Sequence, residues 1–388
     1  MDSLSYLILA AQWLSPVCIG LAMMGCLYAL AAASLARRFA ARSLPAPATT
    51  PAVTILKPLH GTEPGLRANL ASLCRQDYGG SVEIVFGVQD ADDAAITDVE
   101  ALIRDFPNAD IRLVIDPHEY GANRKISNLI NMSRKIRHEI VVLADSDISV
   151  EPGYLQGLIA LLDQPGVGAV SCLYSGRPMG GPWAELSAMA IDQHFLPGVI
   201  VGLALDRARP CFGSTIALRR ETLDRIGGFV PFADKLADDH ALGMAVNRIG
   251  LVVAFPPFLV GHSCSERRLS DLIRHELRWA RTIASIDPSG FIGSGATHAL
   301  PFALLGVVTG GFNTVTLGLL AAALACRAIL QIQITWVFSL PPPRLWLGPV
   351  RDLLSFAVYA ASFFSGRVEW RGRCYDVTTG GDMRAGGG

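Results

Sequence analysis

The chain has 388 residues, of which 51% are hydrophobic and 17% charged, whereas an average soluble domain has roughly 25% charged residues. The deficit lies at the two ends, because no Asp, Glu, Lys or Arg occurs between Asp2 and Arg37 or between Asp287 and Arg327, which excludes a wholly soluble and a wholly intramembrane protein. The net charge of -1 supplies no basic field, so nucleic acid is not expected as a partner.

The first uncharged run predicts a transmembrane anchor, residues 1–36, with a helix over 7–33. A cleaved signal peptide is the alternative, although the run is long and lacks a basic lead-in. The basic residues after the helix are Arg37, Arg38 and Arg42. By the positive-inside rule they place the rest of the chain in the cytoplasm, after a Pro- and Ala-rich linker over 37–51.

A regular alternation of short apolar runs and helical segments follows the linker. Strands are predicted over 52–56, 82–88, 111–115 and 140–144, and helices over 65–75, 94–105 and 121–135. This order predicts an α/β domain over 52–290, built on a doubly wound, mostly parallel sheet. Its ligands are expected beyond the carboxyl ends of the strands.

The second region that is poor in charged residues, 297–366, predicts transmembrane or re-entrant helices. One span is expected over 297–326 and a second over 329–347, whereas 352–366 is marginal in length and could be re-entrant, interfacial or a short third helix. Arginines beyond residue 366 predict a cytoplasmic tail over 367–388.

Acidic residues follow the predicted strands. Asp145-Ser146-Asp147 ends an apolar strand, and two carboxylates on alternate residues can share a divalent cation with phosphate oxygens. A polar turn would have the same composition. Asp90, Asp92 and Asp93 end another strand, where a carboxylate could bind a nucleoside or could cap the following helix.

Two further segments carry candidate catalytic residues. Asp238-Asp239 precedes an apolar helical run, and adjacent carboxylates raise one another's proton affinity, so one can act as a base; a helix cap is the alternative. An amphipathic helix is predicted over 270–283, with His275 and Trp279 on one face. It could dock at a membrane surface, or Arg278 could bind a leaving diphosphate.

In this order the motifs resemble those of inverting glycosyltransferases with the GT-A fold, specifically the ceramide glucosyltransferase family and its bacterial relatives, the hopanoid-biosynthesis-associated glycosyltransferases. The resemblance covers nearly the whole chain. It is carried by Lys57-Pro58 with Gly61, Asp90 with Asp92-Asp93, Asn123 with Lys125, Asp145-Ser146-Asp147, His194, Asp238-Asp239, Arg278-Trp279, and Trp370-Arg371-Gly372-Arg373.

The resemblance implies a role for each matched residue. The nucleotide-sugar residues would be Lys57, Asp90, Asp93, Lys125 and Asp145, with Asp145 and Asp147 holding Mg²⁺ or Mn²⁺. The catalytic set would be Asp239 as the base, Asp238, Arg278, Trp279 and His194. One departure is His275, where the family has Gln or Arg at the first position of the motif that ends in Arg278-Trp279.

The implied enzyme is a UDP-sugar-dependent lipid glycosyltransferase of the bacterial inner membrane, multi-pass, with its catalytic domain in the cytoplasm. We expect UDP-N-acetylglucosamine as donor and a hopanoid polyol such as bacteriohopanetetrol as acceptor, with ceramide and UDP-glucose as the alternative pair. A processive polysaccharide synthase shares these motifs but needs more spans for a channel. A non-catalytic scaffold or lipid transporter is the alternative of another class.

Overall fold

The computed structural model describes residues 3–206, 210–364, 367–370, 373–377 and 383–385, with side-chain detail for 13–206 and 210–364. The helices are α1 Ser3–Ala40, α2 Leu66–Cys74, α3 Ala95–Asp105, α4 Arg124–Ser133, α5 Tyr154–Leu162, α6 Gly181–Ala190, α7 Leu196–Ala204, α8 Arg220–Arg225, α9 Asp238–Arg248, α10 Leu269–Ile286, α11 Pro288–Ser294, α12 Ala299–Gly310, α13 Thr314–Val337 and α14 Gly348–Ser362. A π-helical turn, Ile191–Phe195, joins α6 to α7. Arg371 and Gly372 of the closing motif lie outside the described residues.

The strands are β1 Val53–Pro58, β2 Val82–Val88, β3 Asp110–Ile115, β4 Ile140–Ala144, β5 Ile148–Ser149, β6 Val167–Ser171, β7 Leu173–Pro178, β8 Thr215–Arg219, β9 Val252–Ala254, β10 Leu259–Cys264, β11 Arg367–Trp370, β12 Arg373–Val377 and β13 Met383–Ala385. Seven of them form the central sheet in the order β3-β2-β1-β4-β8-β6-β9. Only β8 runs antiparallel to its neighbours β4 and β6, so the predicted mostly parallel sheet is confirmed.

The central sheet is buried on both faces because successive side chains of a strand point to opposite sides. In β1, Ile55 belongs to the core that includes residues of α2, α3 and α5, whereas Leu56 belongs to the core that includes α4 and the last turns of α1. Phe39 near the end of α1 belongs to the same core as Leu56. The N-terminal helix therefore contributes directly to the core of the α/β domain.

A second, three-stranded sheet has the order β5-β10-β7 and lies beyond the end of β4. Its strand β10 pairs antiparallel with the two residues of β5, and this register sets His262 opposite Ile148. The short turn that carries Asp145 and Asp147 is thus enclosed between β4 and β10.

The apolar ends form helices that are long enough for a membrane. By length and composition, Trp13–Ala40, Gly181–Ala204 and Thr314–Val337 qualify as spans, and Pro288–Thr297 with Ala299–Gly310 would be a fourth if this pair, bent by 62°, is one broken span. The terminal segments were expected from the sequence, whereas Gly181–Ala204 was not, because it carries two acidic residues; about half of its apolar part is buried inside the protein.

The bounds of the C-terminal helices differ from the two expected spans, 297–326 and 329–347. The first run is interrupted at Gly311, which has a positive φ of 80°, and Asn313 then caps α13 through the backbone N–H groups of Val315 and Thr316. Helix α13 continues through Arg327 to Val337, so the charge expected to end a span lies inside a helix.

Candidate active site

A buried lysine holds the turn after β4, which carries Asp145 and Asp147. Lys57 of β1 is fully buried, and its Nζ donates to the carbonyl oxygens of Asp145 at 2.7 Å and Ile148 at 2.9 Å. Burial lowers the pKa of Lys57 to about 8, although the two aspartates oppose the shift. Lys57 therefore fixes the backbone of the turn, and its assignment to the nucleotide sugar stays a prediction.

Lys125, in the first turn of α4, joins two acidic segments that are distant in sequence. Its Nζ lies 2.8 Å from Asp145 Oδ1 and 3.1 Å from Asp238 Oδ2. The buried side chain of Asn123, which caps α4 through the N–H of Ile126, donates to Asp238 Oδ1 at 3.3 Å. Burial alone would lower the pKa of Lys125, but the carboxylates outweigh it and raise that pKa above its usual value.

Asp239 approaches the same point from the start of α9. The N-cap position of α9 is Ala237, so neither aspartate stands there, but Asp239 Oδ1 accepts the backbone N–H of His240 in the first turn at 2.8 Å. A methyl group added at Gly213 would lie 3.1 Å from Asp145 Oδ2 and 3.4 Å from Asp239 Oδ2. Glycine thus lets the backbone approach both carboxylates closely.

Asp145, Asp147, Asp238 and Asp239, with Lys125, are called the strand-end cluster below. Burial, reinforced by the charge of Asp238, raises the pKa of Asp239 to about 6, although Lys125 opposes the shift. Burial also raises the pKa of Asp145, again against Lys125. A carboxylate with a pKa near 6 is ionised at neutral pH and can still accept a proton, as a general base requires.

Asp147 has the features of a cation ligand. Its Oδ1 is buried without a hydrogen-bond partner in the described part of the chain, and its Oδ2 lies 3.4 Å from His262 Nε2. The described residues contain no group of three His, Cys, Asp or Glu side chains arranged for a metal. The donor set therefore fits a hard divalent cation that takes its remaining ligands from a diphosphate or from water.

The acidic residues after β2 differ in exposure. Asp93 is buried, and its carboxylate accepts the N–H of Gly61 at 2.9 Å and that of Ala95 at 2.9 Å. Asp90 is exposed, and its carboxylate accepts the N–H of Asp92 at 3.0 Å. Asp93 thus fixes the loops at this edge, whereas the Asp90 carboxylate faces outward, and the nucleotide roles of both stay predictions.

Trp279 of α10 connects the helix predicted over 270–283 to the strand-end cluster. Its ring packs edge-on against His262 with centroids 5.9 Å apart, and against His275 at 4.7 Å. His275 Nδ1 is in turn 2.6 Å from Glu266 Oε1, so the residue that departs from the family motif is held by an acidic partner. Arg278 lies beside Trp279 on α10 and is half-buried.

His194 is placed elsewhere. Its Nε2 lies 3.1 Å from Asp352 Oδ1 and 3.2 Å from an Arg327 nitrogen, and its ring lies over that of His298. Its described hydrogen bonds lead into the C-terminal helices and not into the strand-end cluster, so its catalytic role stays a prediction.

Sequence reasoning missed His262 because nothing in the local pattern Gly261-His262-Ser263 marks it. Only the pairing of β10 with β5 brings it to Asp147. A search for histidines at the ends of apolar runs would have included it, among others.

Comparison with known proteins agrees with this architecture. The profile described as "Glycosyl transferase family 21" matches residues 17–383. Ceramide glucosyltransferase 1 of Caenorhabditis elegans is 26% identical over 211 residues, 53% of this chain and 44% of the relative, and ceramide glucosyltransferase 3 of the same organism is 21% identical over 344 residues, 86% of this chain and 74% of the relative.

Among solved structures, mannosyltransferase PcManGT from Pyrobaculum calidifontis, in complex with GDP-Man and Mn²⁺, aligns with a TM-score of 0.53 at 20% identity. The alignment covers 90% of this chain and 97% of that one, and it supports the GT-A fold. The family match spans nearly the whole chain, including the α/β domain and the apolar helices. The chain therefore belongs to glycosyl transferase family 21.

Proposed function

We propose that the protein is an inverting glycosyltransferase that moves a sugar from a UDP-sugar to a hydroxyl group of a membrane lipid. The observation that carries the proposal is the convergence of Asp145 and Asp239 on Gly213, with Asp147 beside them and an unpartnered oxygen on it. A base and a diphosphate-binding edge are what direct displacement at an anomeric carbon needs.

The residues of the site have separate roles in this reaction. Asp239 accepts the proton of the acceptor hydroxyl as that oxygen attacks the anomeric carbon from the face opposite UDP, which inverts the configuration. Asp238 and Lys125 tune the pKa of Asp239 in opposite directions. Asp90 and Asp93 bind the nucleoside, and Arg278 holds the departing diphosphate.

A divalent cation fits Asp147 and Asp145, with His262 as a further neighbour. When bound, Mg²⁺ or Mn²⁺ would neutralise charge on the diphosphate and make UDP a better leaving group. Lys57 holds the backbone of the Asp145–Ile148 turn, and Lys125 holds the Asp145 carboxylate.

The apolar helices that pack against the α/β domain support the proposal of a lipid acceptor. A lipid that stays in the bilayer presents only its head hydroxyl at the interface, where α10 leads from the site to the C-terminal helices. We place the protein in the bacterial inner membrane, multi-pass, with the α/β domain in the cytoplasm because Arg37 and Arg38 follow α1.

For the donor and acceptor pair we propose UDP-N-acetylglucosamine and a hopanoid polyol, which rests on the resemblance of the sequence motifs. The relatives named ceramide glucosyltransferase favour UDP-glucose and ceramide as the second candidate. Both acceptors present a hydroxyl group on an apolar body.

The deciding experiment crosses the two UDP-sugars with bacteriohopanetetrol and ceramide, using the full chain in detergent micelles with Mn²⁺, and identifies the lipid product by mass. The proposal expects N-acetylglucosamine on the hopanoid. Glucose on ceramide would select the second candidate. Lipid movement between vesicles without release of UDP, and no glycolipid from any pair, would indicate a transporter instead.

A further inference from the structure

Between α6 and α7, the π-helical turn leaves a backbone carbonyl without its usual helical partner. Pro197 has no N–H to offer the carbonyl of Gln193, four residues earlier, so the helix widens at this point. Arg327 of α13 donates to this oxygen from both Nη atoms, each at 3.3 Å. A buried arginine thus satisfies the carbonyl that the proline leaves free.

The same arginine is held by a carboxylate from α14. Arg327 Nε lies 2.8 Å from Asp352 Oδ2 and Nη2 lies 2.6 Å from Asp352 Oδ1, a bidentate pair whose side chains are 5% and 4% exposed. Asp352 Oδ1 also meets His194 of the π-helical turn at 3.1 Å. Asp352 therefore fixes the turn to both α13 and α14.

Arg351, the residue before Asp352, makes a second ion pair, with a carboxylate of α10. Arg351 is fully buried, and its two Nη atoms each lie 2.7 Å from a Glu276 oxygen. Arg351 Nη1 also donates to the carbonyl of Leu186 in α6 at 3.1 Å. Glu276 is on α10, three residues before Trp279, so this pair sets the position of the helix that carries Trp279.

The two pairs, Arg351–Glu276 and Asp352–Arg327, are called the ion bridge. It starts from two adjacent residues of α14, one of which reaches α10 while the other reaches the π-helical turn. Trp279 of α10 and Phe195 of the turn pack with ring centroids 6.3 Å apart, and both contact Tyr174. Tyr174 stacks on His262, the neighbour of Asp147.

We propose that Arg351 and Asp352 are positioning residues, which hold Trp279 and Phe195 in register and thereby shape the side of the site that receives the lipid acceptor. The inference rests on the proposed lipid glycosyltransferase function. Within the described residues, the hydrogen bonds of the ion bridge go to α6, the π-helical turn, α10, α13 and α14, and none goes to the strand-end cluster. Loss of the ion bridge should therefore raise the KM for the acceptor and leave binding of the intact UDP-sugar unchanged, because Arg278, which α10 also carries, is assigned to the departing diphosphate.

The test replaces one whole pair, because a single change would leave a buried charge alone. The double variant Arg351→Met with Glu276→Gln should raise the KM for the lipid acceptor about tenfold, because small misplacements of a positioning surface are costly. Binding of the UDP-sugar, measured by calorimetry, should stay within about twofold of the unaltered protein.

The matched control is the pair Arg344–Glu185, which joins the segment before α14 to α6 at 2.6 Å, with an arginine that is 59% exposed. Arg344→Met with Glu185→Gln should change neither constant. If the first double variant does not fold, Arg351→Lys keeps the charge but loses the bidentate geometry, and it should raise the acceptor KM by a smaller factor.

Failure of the proposed function and failure of the positioning role give different results. An unaltered protein that forms no glycolipid with any pair refutes the proposed function. An unaltered protein that forms glycolipid, together with a folded variant whose acceptor KM is unchanged, overturns the positioning role alone, as does an equal loss of donor and acceptor binding.

Discussion

The protein contains two buried groups of charged side chains, and they differ in how completely their charges are paired. In the strand-end cluster, the carboxylates of Asp145, Asp238 and Asp239 lie around Lys125, and one oxygen of Asp147 has no hydrogen-bond partner among the described residues. In the ion bridge each carboxylate meets an arginine through two hydrogen bonds. We propose that a cation completes the first group, whereas the second is complete in itself.

The difference predicts how each group responds to mutation. An incomplete cluster carries unfavourable interactions that a substrate or cation can relieve, so changes there should affect binding and catalysis. A complete pair adds little net stability over apolar residues, but breaking it by half leaves a buried charge. Substitutions in each group test this contrast.

Asp239→Asn should lower the rate of sugar transfer by about 10³-fold, because the amide cannot accept the acceptor proton. UDP binding should persist, since Asp239 is assigned to the acceptor side of the reaction. Asp224→Asn, on the exposed surface of α8, is the control with the same chemical change. Transfer at the unaltered rate by the Asp239 variant would remove the proposed base.

Arg327→Met should lower the free energy of unfolding by about 3 kcal/mol, because Asp352 is left buried without its partner. Thermal unfolding in detergent micelles measures the loss. The double variant Arg327→Met with Asp352→Leu should recover most of it. A double variant as unstable as the single one would show that the pair is not complete in itself.

Asp147→Asn should weaken UDP binding in the presence of Mn²⁺ by about tenfold or more, because the amide is a poorer ligand for a hard cation. Calorimetry with and without EDTA provides the measurement, and the exposed Asp77→Asn provides the control. Equal UDP affinities of the unaltered protein in Mn²⁺ and in EDTA would contradict the cation site.

The strand-end cluster was largely predictable from the sequence, and the ion bridge was not. Parallel strands deliver their carboxyl ends to one edge, so acidic residues after β2 and β4 could be expected near one another. Asp238 and Asp239 were candidates as adjacent carboxylates, but only the resemblance joined them to that edge, because α9 is brought there by the fold and not by the strand pattern.

Arg327 shows what a pattern of charges cannot reveal. A charge usually ends an apolar span, which is why a boundary was expected there, but its partner Asp352 lies 25 residues further along the chain. His262 was hidden for a related reason, since its neighbour Asp147 is reached through the two-residue strand β5. In both cases tertiary pairing decides the role of a residue that has no local signal.

The pH dependence of the reaction depends on the balance of charge in the strand-end cluster. With the pKa of Asp239 raised to about 6, kcat/KM should fall as the pH drops through that value, because the protonated acid cannot act as a base. Lys125 opposes this rise, so Lys125→Gln should move the acid limb to higher pH, by about one unit. The exposed Lys135→Gln should leave the limb in place. A limb that moves to lower pH in the Lys125 variant would mean that a group other than Asp239 controls the reaction.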